Sequence, residues 1–251
     1  MLERVEEYRY MAENEREHWW YQTLHKITFD AIHAQFSHKD ISILDAGCGT
    51  GGLLVFLRQH GYSLLRGFDL SETAVKCSLG HGFDVSQMDI ADFAGHFQGE
   101  HFDVIVSNDT LYYLNDTSRR YFFENCYTLL NPGGLVITNL PALNSFAGIH
   151  DLAVGIKNRF TQSDLSRMID SVQFEVLNMA FWPFLLSPLI LSVRVFQRIK
   201  LKVDPLTEIR SDVKMPPSLI NRFFLTVCRL ESLVFSRKPF GSSLFFVVRR
   251  R

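Results

Sequence analysis

The chain has 251 residues, 47% of them hydrophobic and 21% charged, with a net charge of −1. That balance supports one sizeable core and excludes a disordered chain or one drawn to nucleic acid by overall charge. The charge is uneven: residues 190–251 carry 13 Lys/Arg against 4 Asp/Glu, and residues 1–189 carry 13 against 23. Such a distribution either marks a basic face for an acidic membrane or anionic ligand, or is plain solvation.

Residues 1–38 are acidic, aromatic and free of Gly and Pro, so they read as helix. Strands are predicted at 41–44, 63–69, 83–88, 102–107, 135–140, 174–179 and 243–248. Helices are predicted at 53–60, stopped by Gly61; after Ser71, an N-cap residue; at 118–130, ended by Asn131-Pro132-Gly133-Gly134; and at 161–169, opened by the capping pattern Thr161-x-x-Asp164. Alternating strands and helices at this spacing predict an α/β fold with a doubly wound, mostly parallel sheet. About 60 residues separate the last two strands, and apolar or amphipathic helices are expected near 184–200 and 217–236. The predicted organisation is an N-terminal helical cap (1–38), a ligand-binding domain (39–180), a helical insert (181–240) and the last strand of the sheet (241–251).

Cys48, Cys77, Cys126 and Cys228 show no metal spacing, so reduced thiols in a cytoplasmic protein and no metal site are expected. The start, MLERVEEYRY, is too charged for a signal peptide. The longest apolar stretch, 179–193, is interrupted by Pro183 and Pro188 and is too short to span a bilayer.

The loop DAGCGTGG (Asp45–Gly52) follows the first strand, where an open parallel sheet binds its ligand. Gly47, Gly49 and Gly52 form a literal G-x-G-x-x-G, the spacing of a dinucleotide site. Asp45 argues against a nicotinamide oxidoreductase, because a carboxylate beside a pyrophosphate is repelled. A ligand carrying an ammonium and a sulfonium turns the repulsion into attraction, and S-adenosylmethionine is such a ligand. Asp69, at the end of the second strand, suits a ribose diol. Asp89, after the third, suits the adenine amino group, with the Ile90 amide on a ring nitrogen. Alternatively Asp69 caps the following helix and Asp89 sits in a turn.

ILDAGCGTGG, GFDLS, QMDIADF, FDVIVSNDTLYYL and LLNPGGLVITNLP together resemble the motifs of class I S-adenosylmethionine-dependent methyltransferases. The resemblance implies strand order 3-2-1-4-5-7-6 with an antiparallel seventh strand. It also implies a cofactor site of Asp45, Gly47, Cys48, Gly49, Gly51, Asp69, Leu70, Asp89, Ile90, Ser107 and Asn108, releasing S-adenosylhomocysteine without a metal. The flanks resemble a subgroup of type 11/12 methyltransferase domains with an E..HWW helix (Glu15, His18, Trp19, Trp20), an HD...G...RFT segment (His150, Asp151, Gly155, Arg159, Phe160, Thr161) and a PFG.SL run (Pro239–Leu244). The subgroup is associated with cell-envelope glycan or lipid pathways and natural-product pathways.

Many relatives carry Glu-His after strand four; this chain has Tyr112-Tyr113, which orient the acceptor or line the methyl pocket, since an ordinary tyrosine is a poor base. His150 is the next candidate base, or a structural hydrogen-bonding residue. His18, Trp19 and Trp20 are expected to cover the site or to pack in the core. Arg159 either holds an anionic group of the substrate or pairs with Asp164. The insert is read as a lid over the acceptor, as an element lying on an acidic membrane, or as a homodimer contact. The expected activity is methylation, most often at oxygen, of a small or lipid-linked acceptor. The alternatives are a cofactor-binding protein without methyl transfer and the oxidoreductase. No base-flipping motif follows strand four, so nucleic acid is not an expected partner.

Overall fold

A computed structural model describes residues 5–169, 171–204, 214–235 and 237–251. Seven strands form one sheet: β1 (Ile43–Ala46), β2 (Leu65–Asp69), β3 (Asp84–Gln87), β4 (Phe102–Asn108), β5 (Leu130–Pro141), β6 (Phe174–Trp182) and β7 (Ser243–Arg250). Their order is β3-β2-β1-β4-β5-β7-β6. Pairing is parallel from β3 through β5, and β7 runs antiparallel to both neighbours. This is the doubly wound architecture and strand order expected from the sequence.

The strands are apolar on both faces because helices cover both. Along β7, Leu244, Phe246 and Val248 enter one core while Phe245 and Val247 enter the other. On β4, Ile105 faces the first core and Val104 and Val106 the second, the two-residue alternation of a pleated strand. Beside the second core lie α2 (Trp19–Gln35), α3 (Gly52–Gln59) and α4 (Glu72–Gly80); beside the first lie α5 (Phe93–His96), α6 (Asp116–Leu129) and α8 (Gln162–Met168).

The helix expected over 1–38, of which residues 1–4 lie outside the described residues, is divided in two. Helix α1 (Val5–Asn14) ends before Glu15, and α2 begins at Trp19. His18 causes the break: its backbone is extended and its ring accepts a hydrogen bond from the Trp20 amide, capping α2. The turn frees α1 to fold back over the carboxyl ends of β1 and β2. A short helix, α7 (Ile149–Val154), also lies where no element was predicted. The insert contains α9 (Ser187–Val203) and α10 (Ser218–Val234).

Candidate active site

Strand β1 ends at Ala46, and the glycine loop turns at once. The Gly47 and Cys48 amides both donate to the Phe68 carbonyl, at 2.8 and 2.9 Å, so the loop is pinned to the end of β2. Gly47 has φ +85°, and a β-carbon there would lie 2.4 Å from Thr110 Oγ1. A larger residue would be both strained and blocked. Gly52 opens α3, and a β-carbon there would lie 2.4 Å from Glu15 Oε2. The missing side chain is what lets Glu15 reach the helix start.

Three carboxylates therefore surround the loop: Asp45 from β1, Asp69 from β2 and Glu15 from the turn after α1. All are buried. Asp69 accepts from the Gly49 amide at 2.9 Å, the Ser71 amide at 2.9 Å and the Tyr8 hydroxyl at 3.4 Å. Burial raises its carboxyl, and those donors pull it back. Burial pushes Glu15 up to about 7, against the pull of the Thr50 hydroxyl and the Gly52 amide. Asp45 is pushed up to about 8, first by burial and then by the charges of Asp69 and Glu15. Among the described residues no lysine or arginine offsets Asp45. Buried like charges without a counter-ion are costly. A cationic ligand at this point would relieve them. Among the described residues no three His, Cys, Asp or Glu side chains converge to hold a metal ion.

Helix α1 closes the same region. Met11 Sδ would lie 2.9 Å from a β-carbon on Gly49, and Tyr8 reaches Asp69. Leu70 is 40% exposed beyond β2 and Ile90 is buried at the end of β3, a pair that could flank a planar ring. Asp89 accepts from the Ala91 amide at 2.9 Å, so one of its oxygens makes the turn anticipated as its alternative role.

At the end of β4, Asn108 Oδ1 is buried without a hydrogen-bond partner among the described residues. Next to it, Asp109 adopts φ +52°, a strained value for a side-chain-bearing residue. Its carboxylate accepts both contacts from Asn139 Nδ2, at 3.1 and 2.9 Å. Burial pushes it up to about 7 against Asn139 and the positive charge of Arg159. Tyr112 and Tyr113 stand beside it: the Tyr112 hydroxyl donates to that of Tyr113 at 2.9 Å, and Tyr113 donates to the Val154 carbonyl at 3.0 Å. That bond ties the tyrosine pair to the end of α7, the helix that carries half-buried His150.

Asp109 and Tyr8 were missed from sequence. Asp109 sits inside the quoted FDVIVSNDTLYYL motif, but only its backbone conformation and its Asn139 contact single it out.

Several of the residues expected at the ligand make structural contacts. Cys48 turns its thiol into the core, toward Ser78, and its amide and carbonyl both hold the loop. The Ser107 hydroxyl donates to the Ala46 carbonyl at 2.9 Å, locking β4 to β1. Arg159 does not pair with Asp164. It grips Asp151 at 2.7 and 2.8 Å and donates to the Ala142 and Ser242 carbonyls. Asp164 takes Arg167 instead. Trp19 packs edge-on against Phe224 of α10, and Trp20 stacks on Trp182 at 5.3 Å. Both make the core packing expected as their alternative role, and the helix lying by the glycine loop is α1.

Residues 20–179 match the family model described as "Methyltransferase domain", well over half of the chain. The chain belongs to the methyltransferase domain family. Its sheet order and glycine loop are those of the class I S-adenosylmethionine-dependent methyltransferases, and the carboxylate cluster fits that cofactor's two positive groups. Phosphoethanolamine N-methyltransferase 3 of Arabidopsis thaliana is 29% identical over 121 residues, covering 47% of this chain and 24% of that one. The chain thus spans about a quarter of the length of the curated relatives it matches. Among solved structures, a S-adenosylmethionine-dependent methyltransferase from Archaeoglobus fulgidus aligns with TM-score 0.59 at 17% identity, covering 91% of this chain and 93% of that one. A methyltransferase from Mesorhizobium loti aligns with TM-score 0.55 at 18% identity, covering 88% and 96%. Both likenesses are of fold.

Proposed function

We propose that this methyltransferase family member transfers a methyl group from S-adenosylmethionine to a small or lipid-linked acceptor, most often at oxygen, in natural-product or cell-envelope glycan or lipid biosynthesis. The reading places it in the cytoplasm, at or near a membrane surface. The observation that carries it is the buried cluster of Glu15, Asp45 and Asp69 around a glycine loop. Bound there, the cofactor supplies a methyl on a sulfonium and leaves as S-adenosylhomocysteine.

The residues divide the work. Asp45 and Glu15 attract the ammonium and sulfonium, Asp69 takes the ribose hydroxyls, Asp89 and Ile90 meet the adenine, and Leu70 covers it. Gly47, Gly49 and Gly51 give the ligand close access to the backbone, and Asn108 offers its buried oxygen near the reacting end. Positioning of the acceptor is the larger part of such catalysis. Tyr112 and Tyr113 orient it. Asp109 is the best-placed base: a carboxyl near 7 is matched to taking a proton at neutral pH. His150 stands behind it, on the helix tied to Tyr113.

A nitrogen acceptor is the second reading, favoured by the N-methyltransferases among the relatives. The test is transfer of tritiated methyl into an extract of the source cell, split into organic and aqueous phases, alongside calorimetric titration with S-adenosylmethionine and NAD. Label in a phase identifies the acceptor class, and its resistance to acid and base separates ether, ester and amine products. Tight NAD binding with none for S-adenosylmethionine would overturn the proposal. Cofactor binding without label in any fraction would favour a binding protein.

A further inference from the structure

Both helices of the insert turn a large apolar arc to solvent. At 100° per residue, Leu189, Val193, Phe196, Ile199 and Val203 share one arc of α9. That arc faces outward: Phe196 is 68% and Val203 80% exposed. The opposite side, which meets the rest of the protein, mixes half-buried Ile190, Leu191 and Leu201 with polar anchors. It holds buried Ser187 and Arg194, and Gln197, whose side-chain oxygen accepts from Arg194 at 3.0 Å and from the Ile149 amide at 3.3 Å.

Helix α10 repeats the pattern. Leu219, Phe223, Leu230 and Leu233 point outward, with Phe223 60% and Leu233 82% exposed. Its inner side packs Phe224, Leu225 and Val227 toward Trp19 and also carries buried Asn221 and Glu231 beside Cys228. Asn221 accepts from the Trp19 amide and donates to the Glu17 carbonyl, both at 2.8 Å. Glu231 accepts from the Phe184 and Leu185 amides and pairs with Lys238 at 3.2 Å. The polar anchors help fix each helix with this apolar arc turned to solvent. Patches of this kind mark an interaction surface.

Charge identifies the occupant. Residues 181–240 hold ten Lys/Arg against four Asp/Glu. The α9 helix has no acid at all, and the single acid of α10 is buried Glu231. Lys200, Lys202, Arg222 and Arg229 edge the apolar arcs, and none has a carboxylate partner among the described residues. A two-fold contact with a second copy would set these cations against one another. An anionic lipid surface would attract them while its acyl boundary takes the apolar side chains. Among the described residues no helix is long and apolar enough to cross a membrane, so the helices would lie in the plane of the surface. We propose that the outer faces of α9 and α10 dock the enzyme onto an anionic phospholipid bilayer. This deepens the lipid-linked form of the proposed function, but its test needs no cofactor.

The experiment is flotation of the full chain with vesicles of phosphatidylcholine alone, or mixed with phosphatidylglycerol, at low and high salt. Binding is expected only to the phosphatidylglycerol vesicles and is expected to weaken at high salt. Both the double variant F196S/F223S and the double variant K200Q/K202Q should lower it by on the order of tenfold. Unchanged S-adenosylmethionine affinity in F196S/F223S would show that it is folded and would keep the cofactor reading separate. No binding to anionic vesicles, or equal binding by F196S/F223S, would overturn the proposal. So would a dimer in solution that F196S/F223S turns into a monomer, which would assign the face to a second copy.

Discussion

The glycine loop and the helical insert both depart from ordinary burial, in opposite directions. Around the loop, three carboxyl groups are buried together, and no cation lowers Asp45 among the described residues; on the insert, large apolar side chains are exposed. Neither arrangement stabilises the isolated chain. Each becomes favourable with a complement of matching chemistry: a small cation for the first, an apolar boundary with negative charge for the second. The two regions are linked through the tyrosine pair, which is tied to α7, and α7 packs against α9.

The sharpest way to break this comparison is at the junction. Asp109→Asn is expected to lower methyl transfer by about 10²-fold or more while S-adenosylmethionine affinity holds. The remaining activity should lose the rise with pH near 7 that an ionising Asp109 produces. A matched loss of affinity would move Asp109 into the cofactor site. Asp69→Ala is expected to weaken cofactor binding by roughly 1–3 kcal/mol through lost charge-assisted hydrogen bonds, measured by calorimetry. An unchanged affinity would mean the ribose is held elsewhere.

A third prediction concerns pH. Asp45 and Glu15 keep their protons in the folded chain up to about 8 and about 7, whereas ordinary carboxyls lose theirs near 4. Across that window the folded state binds more protons than the unfolded one, so these groups make stability fall as pH rises from about 4 to about 8. Urea midpoints of the cofactor-free protein should show this trend, and Asp45→Asn should flatten it. Saturating S-adenosylmethionine should offset it, because the cation stabilises the ionised pair. Affinity for the cofactor should itself rise with pH over the same window. The smallest effect belongs to the insert. Phe196→Ser should change unfolding free energy by less than about 0.5 kcal/mol, since the ring is exposed. A loss of several times that would show the ring to be covered within the chain.

The parts of this molecule that are local in sequence were legible in it. The glycines, Asp45, Asp69 and Asp89 follow successive strands at spacings that carry their own chemistry, and the motifs around them gave the strand order. What could not be read depends on long-range packing. Nothing in residues 1–38 says that Glu15 will enter the α3 terminus across Gly52, so the break at His18 was invisible. Arg159 could be paired with the acid five residues on, but Asp151 wins because α7 brings it against the ends of β5 and β7. The amphipathic pattern of α9 was plain, yet which arc faces inward is decided by Arg194 and Gln197 meeting the start of α7. Period alone cannot supply that sign.

The pairing of Trp182 with Ser243 closes the sheet on either side of the insert. In topology, β6 and β7 form a hairpin whose tip happens to be some sixty residues long. The entropy of closing such a tip grows only with the logarithm of its length, about 0.6 kcal/mol per doubling. Evolution can therefore lengthen, shorten or exchange this excursion without disturbing a single ladder hydrogen bond, and the chemistry over β1 and β2 would be inherited intact while the clientele of the enzyme changed.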